Sequence, residues 1–273
     1  MKFTKMHGAG NDFIIINSME ENIAPSEASQ LARRLCSRRT SIGADGFMLV
    51  IPPKNGGDFG MLFYNSDGSL GEMCGNGARC ICRYGVEKGL SGNFPRVETT
   101  AGLVSGERID QINYRIRLND ASILEPHYSV NIDGQVIDCA YVELGNPGIP
   151  HAIVELKGWQ DMDGDELFKL GRALRNAPEF PKGANVSFLD IQSSEEVYIT
   201  TFERGVEDFT LACGTGCGSA AASLFSRNKG GRVLKLHAPG GDLKVELLGE
   251  GASITDIYLS GPTCVVCDGE AYM

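Results

Sequence analysis

Short apolar runs and helix-spaced apolar positions alternate along this chain, separated by glycine-rich turns. Residues 13–16 (Phe-Ile-Ile-Ile) read as a buried strand, and 47–51, 59–64, 96–100 and 114–118 continue the strand pattern. Residues 26–35 carry apolar positions at helical spacing, with Ser26 as candidate N-cap. Cys74-Gly75-Asn76-Gly77 opens a second helix whose Ala78, Ile81, Cys82 and Val86 share one face and which Gly89 ends. The second half follows the same plan: strands at 141–144 and 152–156, a helix at 165–176, and strands at 186–191 and 197–202. Cys213-Gly214-Thr215-Gly216 then opens a helix of small residues running to Phe225, with Gly230 as its stop.

The landmarks recur in register. Gly43 lies 31 residues before Cys74, and Gly183 lies 30 before Cys213. Asn11 precedes Cys74 by 63 residues, and Asn146 precedes Cys213 by 67. Cys74 lies 15 residues before Gly89, and Cys213 lies 17 before Gly230; the three matches imply an internal duplication of ~140 residues, far longer than a solenoid repeat. The expected fold is α/β of the α+β type. Two pseudo-symmetric halves each wrap a curved, mostly antiparallel sheet or barrel around a central helix. The expected boundaries are 1–118 plus about 264–273 for the half carrying Cys74, and 119–263 for the half carrying Cys213.

Composition narrows the function. Lys and Arg number 25 against 35 Asp and Glu, a net charge of -10, which argues against a nucleic-acid partner. No apolar run reaches the ~18 residues of a membrane span. Residues 1–8 do not read as a secretory signal, so a cytoplasmic location with reduced thiols is expected for the nine cysteines.

Those cysteines divide by context. Cys36, Cys80, Cys82 and Cys139 read as small buried hydrophobes, and Cys217 packs on its helix. Cys264-Val265-Val266-Cys267 has CxxC spacing, but its valines favour a strand and no second CxxC exists, so zinc is not expected there. Cys74 and Cys213 differ, because each begins Cys-Gly-x-Gly at a helix start. Unsatisfied N–H groups and the helix dipole meet there, so a thiol's pKa is expected to fall toward neutrality. The same N–H groups suit an anion such as a carboxylate. A nucleotide loop fits poorly, since the Walker pattern is absent and a dinucleotide fingerprint has no use for the cysteine. His7, His127, His151 and His237 form no recognisable metal set.

Two thiols from equivalent places in a duplicated fold are expected to face each other across one cleft. One as thiolate removes a proton from carbon, the other as thiol returns one to the opposite face, and the centre inverts. For an amino acid, helix-start N–H groups aimed at the α-carboxylate would stabilise the carbanion without cofactor or metal.

The quoted residues resemble the diaminopimelate epimerase family. Asn65-Ser66-Asp67-Gly68, Met73-Cys74-Gly75-Asn76-Gly77-Ala78-Arg79-Cys80, Glu203-Arg204-Gly205 and Ala212-Cys213-Gly214-Thr215-Gly216 carry the likeness. Residues 5–13, Gly145-Asn146-Pro147 and Gly183-Ala184-Asn185-Val186 extend it, in order, from residue 5 to about 262. The resemblance implies a cofactor-free epimerase interconverting LL- and meso-diaminopimelate, for lysine and peptidoglycan precursor synthesis. It implies Cys74 and Cys213 as the acid/base pair. It implies Asn11, Asn65, Asn146, Asn185, Glu203 and Arg204 around the substrate, with backbone groups of Gly75, Asn76, Gly214 and Thr215 on the reacting carboxylate. It also implies a homodimer, and a last strand that returns to the first half.

Two departures stand out. Gly46 occupies a place where many members carry Gln, and Gly148-Ile149-Pro150 intervenes between Asn146-Pro147 and His151. Related two-cysteine folds act on proline or histidine, and lanthionine mimics diaminopimelate, so those substrates are the alternatives. A thiol redox protein is a further alternative, although it gives the asparagines and the Glu203-Arg204 pair no purpose.

Overall fold

A computed structural model describes residues 1–71 and 74–272. Two compact units emerge, Met1–Ile116 with Ser260–Met273, and Arg117–Leu259.

The first unit contains β1 (Lys2–Gly8), β2 (Asn11–Asn17), α1 (Ser18–Glu21), α2 (Ala28–Leu35), β3 (Gly46–Ile51), β4 (Phe59–Asn65), α3 (Gly75–Glu87), β5 (Arg96–Thr99), β6 (Gly102–Arg108) and β7 (Asn113–Arg117). The second contains β8 (Ala121–Ile132), β9 (Gln135–Leu144), β10 (Ile149–Glu155), α4 (Gly164–Arg175), β11 (Asn185–Ile191), β12 (Glu196–Glu203), β13 (Asp208–Thr210), α5 (Gly214–Ser226), β14 (Val233–Ala238) and β15 (Gly241–Leu248). After β16 (Asp256–Pro262), β17 (Cys264–Glu270) pairs antiparallel with β1, so the last strand completes the first unit.

The duplication is explicit in the strand pairing. In the first unit, β1–β2 is antiparallel, β2–β3 parallel, β3–β4 antiparallel, β4–β5 parallel and β5–β6 antiparallel. In the second, β9–β10, β10–β11, β11–β12, β12–β14 and β14–β15 repeat that sequence of senses. One helix crosses over before each parallel partner: α2 and α3 in one unit, α4 and α5 in the other.

The parallel strands are covered on both faces, which is why they read as unbroken apolar runs. Ile14, Ile16, Phe47 and Leu49 pack with Leu31 and Leu35 of α2, while Phe13 and Met48 point at Gly77 of α3. Val186, Phe188 and Phe202 join Leu167 and Leu174 of α4 in the equivalent core. A helix buried on nearly all sides must be narrow. α5 meets that demand with Gly, Ala and Ser, and Gly216 through Leu224 are all buried. α3 is buried from Gly75 to Cys82 and includes a fully buried Arg79.

Some local features escaped the sequence pattern. Strand β1, helix α1 and most of the long β8–β9 hairpin were not predicted. α5 stops at Ser226, and Asn228, not Gly230, takes the left-handed conformation beyond it. Cys264 and Cys267 lie exposed on β17 as the strand reading required. Among the described residues no group of His, Cys, Asp and Glu could hold a metal, and no helix is long and apolar enough to cross a membrane.

Candidate active site

Both cysteines are the N-cap residues of buried helices. Cys74 has extended backbone, and its Sγ accepts from the N–H of Gly77 at 3.2 Å. Cys213 does the same toward Gly216 at 3.4 Å. The second glycine of each motif is required by close approach. A Cβ on Gly77 would stand 2.6 Å from Met48 Cε and 3.2 Å from Cys74 Sγ. One on Gly216 would stand 3.0 Å from Ser187 Oγ, 3.1 Å from Thr201 Oγ1 and 3.2 Å from Cys213 Cβ. Gly75, Asn76 and Gly214 are buried and Thr215 is partly buried in the first turns, where N–H groups lack intrahelical partners. Met73, quoted with the first motif, lies outside the described residues.

The surroundings of the two sulfurs differ. Cys74 Sγ donates to Asn11 Oδ1 at 3.6 Å. Arg79, from the same helix, donates to Asn76 Oδ1 at 2.9 Å and fixes that side chain. Asn65 is exposed at the end of β4, where its Nδ2 donates to Ser69 Oγ at 2.9 Å. Gly46 leaves no room for a side chain unless Phe63 moves. A Cβ on Gly46 would fall 2.4 Å from the Phe63 ring, which fills the place.

Around Cys213 the partners are a carboxylate and a hydroxyl. Glu203 shares a hydrogen bond with the Cys213 thiol and accepts from Thr210 Oγ1 at 2.6 Å. Burial raises the Glu203 carboxyl above its ordinary range, against the lowering effect of those two bonds. Thr215 Oγ1 lies 3.5 Å from Cys213 Sγ and 3.0 Å from Nε2 of the fully buried His151. Burial, helped by the charge of Arg204, lowers His151 to about 3 and keeps it neutral. Asn185 orders the region: its Nδ2 donates to the Pro150 carbonyl at 3.3 Å, and its Oδ1 accepts from the Arg204 N–H at 2.8 Å.

The expected lowering of the thiol pKa fails at Cys213. Burial raises it well above the ordinary thiol value, and the neighbouring Glu203 adds to that rise. The bonds from Thr215 and the Gly216 N–H act in the expected direction but do not prevail. The structural cysteines behave as packed groups, with burial pushing Cys36, Cys80, Cys82 and Cys139 up to about 12.

Arg204 is exposed, and its Nη1 donates to the Lys182 carbonyl at 2.8 Å. Glu207 is paired instead with Arg175 at 2.8 Å. Asn146 is exposed in the turn between β9 and β10. The residues 148–150 that separate it from His151 extend the hairpin, with Ile149 opposite Leu144 and Pro150 opposite Glu143. Sequence patterning did not single out Arg79, Thr210 or the His151–Thr215 contact; Arg79 acts within its own helix, Thr210 reaches Glu203 across the β12–β13 pairing, and His151 meets Thr215 through tertiary packing.

Several solved structures share this fold. A probable proline racemase from Agrobacterium radiobacter K84 superposes with a TM-score of 0.71 at 18% identity, covering 100% of this chain and 93% of that one. A hydroxyproline epimerase from Agrobacterium vitis gives 0.70 at 18% identity, covering 98% and 91%. The fold is therefore the one found in these epimerase and racemase structures. The family model described as diaminopimelate epimerase matches residues 3–120 and 144–265. A diaminopimelate epimerase of Aquifex aeolicus is 38% identical over 84% of this chain and 82% of that protein. One from Halothermothrix orenii is 36% identical over 99% and 97%. The chain belongs to the diaminopimelate epimerase family.

Proposed function

We propose that this chain is an isomerase that interconverts LL- and meso-2,6-diaminopimelate by proton transfer between its α-carbon and two cysteines. The observation that carries the proposal is the pair of cysteine N-caps, each with its sulfur at the start of a buried helix.

In one direction, Glu203 takes the proton of Cys213, and the Cys213 thiolate removes the α-proton. Cys74, as thiol, gives its proton to the opposite face of the carbanion. Cys213 then holds a proton and Cys74 does not. The reverse direction starts from that state, with Cys74 as the base. The raised carboxyl of Glu203 suits it to hold and return a proton beside a raised thiol. N–H groups of Gly75, Asn76, Gly214 and Thr215 hold the reacting carboxylate and stabilise charge that spreads onto it. Asn11, Asn65, Asn146, Asn185 and Arg204 bind the remaining polar groups. The guanidinium of Arg204 offers a planar fork to the distal carboxylate.

No step in this chemistry calls for a cofactor. A homodimer, a cytoplasmic location, and a place in lysine and peptidoglycan precursor synthesis complete the proposal. The test is solvent deuterium uptake: purified protein without added cofactor should label LL-diaminopimelate at one α-carbon while forming the meso isomer. No uptake, or equal uptake with proline, histidine or lanthionine, would reject the substrate assignment.

A further inference from the structure

We propose that Asp45 is a positioning residue for Cys74, because it fixes which end of the Asn11 amide meets the sulfur. This rests on the role given to Cys74 above, and the geometry lies wholly within the first unit.

The strand register creates the contact. β2 and β3 run parallel with Phe13 beside Gly46, which brings Asn11 and Asp12 next to Asp45. Asn11 Nδ2 donates to Asp45 Oδ2 at 2.8 Å, and the Asp12 N–H donates to the same oxygen at 3.1 Å. The Asp45 N–H in turn donates to Asp12 Oδ1 at 2.9 Å. Arg38 closes the arrangement from outside, donating to Asp12 Oδ1 at 2.7 Å and to Asp45 Oδ1 at 2.6 Å. Lys5 Nζ lies 3.1 Å from Asp12 Oδ2 and also donates to the Gly43 carbonyl.

A carboxylate accepts and never donates. Asp45 therefore selects the NH2 end of Asn11, and the amide oxygen is left to face Cys74 Sγ. An oxygen at that place accepts the thiol proton and favours the protonated form of Cys74. The opposite amide orientation would aim an N–H at the sulfur and favour the thiolate. Asp45 thus holds Cys74 as a proton donor until substrate arrives. Among the described residues, the other charged or titratable groups about this pair are Asp12, Lys5, Arg38 and Cys36, His7 opposite Asp12 on β1, and Arg79 and Cys80 on α3.

Alkylation by iodoacetamide, followed by peptide mapping, reads the thiolate content of Cys74 without any substrate. It therefore fails or succeeds independently of the diaminopimelate assignment. Asp45→Ala removes the acceptor, so Cys74 should alkylate about three- to ten-fold faster at neutral pH, the change expected for half to one pKa unit. The rate at Cys213 should stay unchanged. The alkaline limb of the pH profile of kcat/KM should move to lower pH by a similar amount. Asp45→Asn removes the charge but keeps an acceptor, and should stay near the native rate. Arg38→Met leaves the Asn11–Asp45 bond intact and should do the same. Equal rates for Asp45→Ala and native protein would overturn the proposal. So would equal acceleration by Asp45→Asn, which would assign the effect to charge. If Asp45→Ala does not fold, 15N-labelled Asn11 in the native protein decides. A slowly exchanging side-chain N–H is expected, and fast exchange of both protons would overturn the proposal.

Discussion

The two helix starts share a motif, a cap geometry and a repeated order of strands, yet their sulfurs face different chemistry. Cys74 meets the oxygen of a neutral amide, and Cys213 meets the carboxylate of Glu203. The second sulfur is more deeply buried and its thiol is raised well above the ordinary value. A helix start lowers a thiol pKa only while its dipole and N–H groups outweigh desolvation and nearby negative charge. Duplication supplied two copies of the scaffold, and divergence of the neighbours made the two copies unlike. In the proposed reaction one thiol is the proton donor when the other is the base, so the two sulfurs must differ in protonation at the start of each turnover.

Removing either sulfur tests whether the two halves divide one reaction. Cys74→Ala and Cys213→Ala should each lower epimerisation by about 10²- to 10⁴-fold, the range for a lost general acid or base. Unchanged circular dichroism would show that each fold is intact. If either variant keeps native turnover, the division between halves is wrong. The next effect belongs to the second half alone. Arg204→Lys keeps the charge and loses the planar fork, so kcat/KM with LL-diaminopimelate should fall roughly ten- to a hundred-fold. Arg204 has no acidic partner among the described residues, since Glu207 pairs with Arg175. A native kcat/KM for the variant would leave Arg204 a surface charge.

Glu203→Gln sharpens the contrast between the sulfurs. It removes the negative charge that helps raise Cys213, so that thiol should alkylate about three- to ten-fold faster. Cys74 has Asn11 as its partner and should not respond. Acceleration at both cysteines would mean that the two environments are not independent.

The elements that hold these groups were largely legible in the sequence. Apolar runs marked β2, β3, β11 and β12, and Cys-Gly-x-Gly marked both central helices, because strand burial and helix capping are local. The partners were not legible. Asp45 reaches Asn11 through a parallel register, and His151 meets Thr215 across 64 residues of sequence. The pKa direction at Cys213 is not legible in the sequence for the same reason. The helix start is written in four consecutive residues, whereas burial and the approach of Glu203 are set by β12 and β13 packing around them. Within the insertion at 148–150, Gly148 stays in the turn, while Ile149 and Pro150 join the strand because they find partners on β9.

The last contrast between the halves is their response to acid. His151 is buried and neutral in the second unit, with its pKa lowered from 6.5 to about 3 by burial first and Arg204 second. In the unfolded chain this histidine binds a proton as pH falls below 6.5, while in the folded protein it does not until about 3. The folded state therefore loses stability across that window, by at most one proton, or about 1.4 kcal/mol per pH unit. In the first unit, burial works against the Asp12 carboxylate, but Arg38 and Lys5 prevail and lower it from 3.8 to about 2. Its contribution is present above 3.8 and is lost as pH falls through about 2. Acidification should thus weaken the second unit first and the first unit later. Trp159, the single tryptophan, lies in the second unit and reports on it by fluorescence. His151→Gln should flatten the loss of denaturation midpoint between pH 6.5 and about 3, and leave the loss below that window in place. Asp12→Asn should do the opposite. If His151→Gln follows the native acid profile throughout, the neutral buried histidine is not what makes the second half sensitive to acid.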